Sequence, residues 1–389
     1  MLACSSRDGS DNGVAAGDNE MAPAGAQPGG EAASPGAPGK LGNSDTAGSA
    51  AGSSANGSPG SESVSEALPL TPSAMLPGGT PAPPAPPAPP GAPLQQALPD
   101  LISVRQEHAA VALGGEIYVI GGFTPTVTAT VEAFDTAAQT WRAVASLPAA
   151  LHHANAASVN GRIYVAGFYL GSSFTNADPR VLEYDPAQNS WSERTPMPAG
   201  SERATSCVAA LDGKIYLFGG ARATTVSDAS VYDVAADSWQ ALPPLPEARE
   251  HCVVGAIGGT LYIASGRAGG ITGFQRNTWA FDPATQAYSP RAPIPTARGG
   301  TAGAVLAERL LIFGGEGNPA PATFGVWPNI DAYEPASDSW QALAPMLLPR
   351  HGLGAAVSDG RVYLPGGAAA QGFGAVNDHT VLSFDSSAL

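Results

Sequence analysis

The chain has 389 residues and carries 33 acidic against 18 basic side chains, a formal net charge of −15 at neutral pH. So acidic a chain, with Lys214 its one lysine beyond residue 93, argues against a nucleic-acid partner or an anionic lipid surface, since both need clustered positive charge. No apolar run approaches the roughly 18 residues of a membrane-spanning helix, and three cysteines imply no disulfide framework.

Residues 1–93 are dominated by Gly, Ala, Ser and Pro and contain no Trp, Tyr or Phe. Such a stretch cannot bury enough apolar surface to offset its ordering entropy, so it is expected to be a disordered tether. The Pro-Ala-Pro-Pro segment at 81–93 should be stiffer, near polyproline II geometry. Met1-Leu2-Ala3-Cys4 resembles the end of a bacterial lipoprotein signal, whose last residue is the lipidated cysteine. Met at position −3 departs from that pattern, and the charged and apolar regions upstream are missing. The resemblance implies lipidation at Cys4, a membrane contact through that anchor alone, and a cell-envelope location as an outer-membrane lipoprotein or secreted protein. A chance cysteine at a cytoplasmic N-terminus is the competing reading.

From residue 94 onward one unit repeats. Ile117-Tyr118-Val-Ile-Gly121-Gly122 recurs as Ile215-Tyr216-Leu-Phe-Gly219-Gly220, as Leu310-Leu311-Ile-Phe-Gly314-Gly315 and as Val362-Tyr363-Leu-Pro-Gly366-Gly367. Tyr164 and Tyr262 head two degenerate copies. The anchors at 118, 164, 216, 262, 311 and 363 lie 46 to 52 residues apart. Each copy ends a third strand on an aromatic–acid pair, from Phe134-Asp135 to Phe384-Asp385, and a large aromatic follows six residues after the first five acids: Trp141, Trp191, Trp239, Tyr288 and Trp340. Thirteen residues before the anchor stands Arg105, Arg203, Arg249, Arg298 or Arg350, with Leu151 breaking the series in the second copy. Short runs rich in Val, Ile and Tyr between turn residues read as strands. Gly114-Gly115, Asn160-Gly161, Asp212-Gly213, Gly258-Gly259 and Asp359-Gly360 suit two-residue hairpins.

This pattern resembles the kelch family over about 94–389. The resemblance implies an all-β fold: a six-bladed β-propeller with four antiparallel strands per blade. The sixth copy lacks a fourth strand, and Gln96-Ala-Leu-Pro-Asp-Leu101 resembles the fourth-strand segment Gln240-Ala-Leu-Pro-Pro-Leu245. Residues 94–99 are therefore expected to complete the last blade and close the ring.

Spacing separates the two faces of such a ring. Arginine-to-anchor and acid-to-aromatic spacings do not vary, whereas the stretch between second and third strands does, so the loops at 169–180, 267–278, 316–331 and 368–380 are expected to carry recognition. They share a face with the starts of the inner strands, which brings Arg105, Glu107, His108, His152, His153, Arg203, Arg249, Glu250, His251, Arg298, Arg350 and His351 toward the channel mouth. Tyr169, Phe174, Phe274, Phe324, Trp327 and Phe373 rim it. A cationic, titratable centre with an aromatic rim suits an acidic peptide or a sugar. Pairing with a blade carboxylate is the structural alternative for each arginine. Imidazoles from adjacent blades could converge on a metal, but no tight spacing motif supports one, and His152 and His153 should point to opposite faces of a strand. No metal and no cofactor is assigned, and Cys207 and Cys252 read as buried free thiols.

No nucleophile elbow, phosphate loop or dinucleotide fingerprint appears. The family resemblance implies a monomeric binding module for a protein, peptide or glycan. Its alternative is a sugar-active enzyme resembling a sialic-acid mutarotase, with Glu107, Glu250 or His153 beside Arg203 or Arg249 as acid or base.

Overall fold

The computed structural model describes residues 93–384. Cys4 and the expected tether lie outside the described residues. Six four-stranded antiparallel sheets follow one another, the first five running in chain order from an inner to an outer strand. The inner strands are Ala109–Leu113, Asn155–Val159, Cys207–Leu211, Val253–Ile257, Ala302–Leu306 and Ala356–Ser358. These are the blades of a propeller. The sixth is completed by the first strand: Leu94–Leu98 pairs antiparallel with His379–Ser383, Gln96 opposite Val381. A small extra sheet (Leu151–His152, Phe168–Leu170 and Ala177–Asp178) caps the second blade, where the repeat is degenerate.

Local chemistry explains the strands. Both residues of each inner hairpin turn have positive φ, for example Asp212 at 50° and Gly213 at 73°, the geometry whose twist matches the flanking strands. Ala307 and Glu308 adopt the same conformation at 50° and 56°, so the fold imposes the turn even where side chains resist it.

Cohesion between blades rests on three repeated contacts. The core lies between sheets: Tyr118, Ile120 and Val131 of the first blade pack with Ile163, Val165 and Tyr184 of the second. Each outer-strand aromatic then reaches back to the preceding blade. Trp191 Nε1 donates to Ala145 O at 2.8 Å, Trp239 to Thr195 O at 3.0 Å, Trp340 to Ala292 O at 2.8 Å, and Tyr288 Oη to Pro243 O at 2.9 Å. Trp141 donates to Pro99 O at 2.8 Å, and Gln95, in the sixth blade, to Pro345 O at 2.7 Å. The set of six is closed.

The third contact uses the glycine doublets. Gly220 N donates to Arg249 O at 2.8 Å and Gly315 N to Arg350 O at 3.0 Å, each reaching the next blade. A Cβ on Gly219, whose φ is 60°, would stand 2.2 Å from Arg249 O, so only glycine fits there.

The free-thiol expectation is corrected. Cys207 and Cys252 form a disulfide, with Cα atoms 5.3 Å apart, a separation that a disulfide spans readily. Inner strands converge on the axis, so an offset of one register between neighbouring blades does not keep the thiols apart.

Candidate functional site

The five arginines do not line the channel mouth. Each is buried inside its own blade, and its guanidinium holds the carbonyl at the first doublet position. Arg203 Nε donates to Gly219 O at 2.8 Å and Arg298 Nε to Gly314 O at 2.8 Å. Arg105, Arg249 and Arg350 donate through Nη1 to Gly121 O, Ser265 O and Gly366 O at 3.0, 3.1 and 2.6 Å. Carboxylate pairing is secondary: Arg105 meets Glu132 at 2.6 Å and Arg298 meets Asp331 at 2.7 Å. The expected cationic ring is thereby withdrawn into the scaffold.

Two residues beyond each arginine position, the chain turns left-handed. Glu107, His153, Thr205, His251, Gly300 and Gly352 have φ between 51° and 62°. Their backbones form a closed ring around the axis. Glu107 N donates to Gly352 O at 2.7 Å, His153 N to Glu107 O at 2.9 Å, Thr205 N to His153 O at 3.2 Å, His251 N to Thr205 O at 3.1 Å, Gly300 N to His251 O at 3.2 Å and Gly352 N to Gly300 O at 2.8 Å. Side chains at these positions turn toward the channel. Glu107, His153 and His251 come together there, with donor atoms within 4.8 Å of one another.

His152 and His153 were expected on opposite faces of a strand. The strand ends at His152, and the left-handed turn at His153 swings its ring against its neighbour, Nδ1 to Nδ1 at 2.5 Å. Glu250 lies beside His251, 3.6 Å from its Nδ1. It pairs with Arg267, whose Nε is 3.0 Å away, not with Arg249. His351 Nδ1 stands 3.8 Å from Glu107 and 3.9 Å from Glu316. His108 lines a cavity together with Glu107, His153 and His251 and holds Pro365 O through Nε2 at 3.1 Å.

Charge at the mouth is therefore anionic. Glu107, Glu250 and Glu316 surround a single guanidinium, Arg267, which is hydrogen-bonded to both Glu250 and Glu316. Burial alone would push the Glu107 carboxyl up, but in the acid range where it titrates the fields of His153, His251, His351 and Arg267 outweigh that and hold the group at about 2. Burial likewise opposes ionisation of Glu250, and His251 and Arg267 override it to give about 2. His153 is driven down to about 3 by burial, with Glu107 opposing, and is neutral at pH 7.

Above this group opens a cleft of about 180 Å³ lined by Glu107, His153, Arg267, Glu316, His351 and Phe123. Phe174, Ile271 and Phe373 rim it, exposed by 49%, 57% and 67%. Phe123 sits between two of them, 6.0 Å from the Phe174 ring and 5.6 Å from that of Phe373. A second cleft of about 330 Å³ adjoins through His153, Phe174 and Arg267 and is walled by Tyr169, Arg222, Glu250 and His251. Tyr169 is buried, its hydroxyl directed at Ala221 O and Arg222 O. Phe274 is half-buried, its ring pressed onto Gly317. Trp327, half-buried with a buried, unpartnered Nε1, lines neither cleft.

Sequence reasoning missed Phe123, and it placed Arg267 and Glu316 at the heads of expected recognition loops without singling them out, yet a register signal existed. Each is the first residue after a blade's doublet position. Each bridges the residue after the arginine position: Gln106 with Phe123, Glu250 with Arg267, Gly299 with Glu316.

The fold and site thus define a six-bladed propeller built from a repeated Arg, Gly-Gly and Trp unit, with its variable side chains gathered at one end of the channel. The sequence matches the KLHDC2/KLHL20/DRC7 Kelch-repeats domain over residues 94–266 and 184–367, and the chain belongs to the kelch-repeat family. It is similar to Kelch-like protein terF of Aspergillus terreus (strain NIH 2624 / FGSC A1156), with 36% identity over 280 residues, 68% of this chain and 61% of that protein. Kelch-like protein 34 of Homo sapiens is 31% identical over 258 residues, 62% of this chain and 38% of that protein. The chain thus spans less than two thirds of these curated relatives. Among solved structures, that of YjhT superposes with a TM-score of 0.62 at 17% identity, over 74% of this chain and 99% of that one, a likeness of fold.

Proposed function

We propose that this protein is a recognition propeller that captures a protein, peptide or glycan on the face formed by the second-to-third-strand loops and the starts of the inner strands. The observation that carries this reading is the juxtaposition of an ionised, buried cluster with a rim of exposed Phe174, Ile271 and Phe373. Exposed apolar residues gathered around a polar pocket mark a binding site more often than scattered ones do. Glu107, Glu250 and Glu316 outnumber Arg267 and Arg222, the latter paired with Asp228, and so favour a ligand that donates, such as sugar hydroxyls or a basic side chain, over the acidic ligand expected from the arginines.

The reading extends to display at the cell envelope through lipidated Cys4. The Leu2-Ala3-Cys4 segment supports it, and so does the Cys207–Cys252 disulfide, because such bonds persist in oxidising compartments.

Peptide and glycan libraries screened against the wild type and a Phe174→Ser/Phe373→Ser variant test the face. Selected ligands should lose at least tenfold in affinity on the double variant and none on Arg162→Ala, which lies at the opposite end of its blade. Ligands that bind both variants equally would remove this face as the binding surface.

A further inference from the structure

The partners of three histidines fix where their lone pairs point. His152 Nε2 lies 3.1 Å from Ser173 O. A carbonyl only accepts, so Nε2 carries the His152 proton and His152 Nδ1 is an acceptor. The 2.5 Å contact with His153 Nδ1 then requires the His153 proton on Nδ1. His153 Nε2 is left with a lone pair, 3.5 Å from Glu107 Oε2.

His251 gives the same result by another route. Arg267 Nη2 lies 3.4 Å from His251 Nε2, and a guanidinium only donates, so Nε2 bears a lone pair. It stands 3.9 Å from the same Glu107 Oε2. His351 donates through Nε2 to Ala370 O at 2.8 Å. Its buried Nδ1 has no hydrogen-bond partner and faces Glu107 Oε1 at 3.8 Å. In their neutral forms the three imidazoles therefore turn lone pairs on one carboxylate, with no hydrogen between them. Electron-rich atoms gathered in this way attract a cation, either a proton on one of the rings or a metal ion shared between them.

We propose that Glu107 Oε2, His153 Nε2 and His251 Nε2 form a binding site for a first-row divalent transition-metal ion, Zn²⁺ foremost, with one coordination position open to the cleft. Two imidazoles and a carboxylate, with a fourth position left free, are a donor set that zinc accepts. Bonds of about 2.0–2.1 Å place tetrahedral donors roughly 3.4 Å apart; Glu107 Oε2 is already 3.5 and 3.9 Å from the two nitrogens, and with all three donor atoms within 4.8 Å of one another the imidazoles must draw together around an entering ion.

The outer partners fit as well. Metal-binding histidines as a rule donate their other N–H to a carbonyl or carboxylate. Here His153 donates to His152, itself tied to Ser173 O, whereas His251 Nδ1 has no hydrogen-bond partner and would have to close on Glu250, 3.6 Å away. The ring of backbone hydrogen bonds holds all three donors in the left-handed conformation, an arrangement whose strain is of the kind found at functional sites. Arg267 gives up only its contact with His251 Nε2 when an ion enters, since Glu250 and Glu316 still hold it.

The test uses the full chain, free of any affinity tag and stripped with a chelator, titrated calorimetrically with Zn²⁺ alone and spectroscopically with Co²⁺. One equivalent should bind, with visible d–d bands of low-coordinate Co²⁺. His153→Ala/His251→Ala should abolish both signals while melting like the wild type in chelator. His152→Ala, a positioning change, should weaken binding about 10–100-fold without abolishing it. In the wild type, Zn²⁺ should shift the ring resonances of His153 and His251, a readout that stands even if the variants fail to fold. No uptake by the wild type, uptake unchanged in the double variant, or shifts confined to other histidines would each overturn the site. Because the metal alone is the probe, failure here leaves the ligand-binding face untouched, and the converse also holds.

Discussion

A single backbone dihedral decides which side chains this protein offers its channel. At the position two beyond each arginine, φ near 50–60° turns Glu107, His153, Thr205 and His251 inward, at a cost of roughly 1–2 kcal/mol for each non-glycine residue. A burial pattern cannot reveal this, because it assumes that strand alternation continues. Another histidine shows the opposite use of burial. His379 is packed between Phe134, at 4.6 Å, and Trp141, at 5.2 Å, with neither ring nitrogen hydrogen-bonded. Burial, then the charge on Arg350, lowers it from 6.5 to about 3. The unfolded chain therefore takes up a proton below about pH 6.5 that the folded state refuses until about pH 3. Stability from this group is present above pH 6.5 and is lost as pH falls. His379→Leu should flatten part of the fall in melting temperature between neutral and mildly acidic pH. An unchanged slope would show that the group titrates freely.

At the scale of the element, the repeat was legible because its spacings are mechanical requirements. Arginine to anchor is fixed, since the guanidinium must reach the carbonyl at the doublet. Acid to aromatic is fixed, since the indole must reach the preceding blade. The site was less legible, because Arg267 and Glu316 sit in loops of irregular length and only the pairing register brings them to Glu250 and Glu107. The arginines misled for a related reason: a repeated charge looks like a ligand ring until its hydrogen bonds are counted. The latch itself is testable. Trp191→Phe keeps the ring beside Tyr184 but removes the bond to Ala145 O. Leaving that carbonyl without its donor should cost about 1–2 kcal/mol in denaturant unfolding, with little change in slope. No loss at all would reduce the indole to a space filler.

For the whole molecule, the decisive feature is how the ring is sealed. Leu94–Leu98 supplies the outer strand of the last blade, and Gln95 stands where the other blades place Trp or Tyr, with its amide accepting from Leu347 N and donating to Pro345 O. The same segment supplies Pro99 O to Trp141 of the first blade, so one short strand touches both sides of the seam. Starting the chain at residue 100 would expose the edge of His379–Ser383, a template for pairing with another chain, and would orphan Trp141. Such a truncated chain should lose its single cooperative transition, the first and sixth blades unfolding before the rest, and should associate with itself as concentration rises. A peptide spanning residues 93–99, added in trans, should restore both the transition and the monomer, because the lost interactions are all carried by that strand. A truncated protein that melts as one unit at the full chain's temperature would mean that the remaining five-and-three-quarter blades close without it.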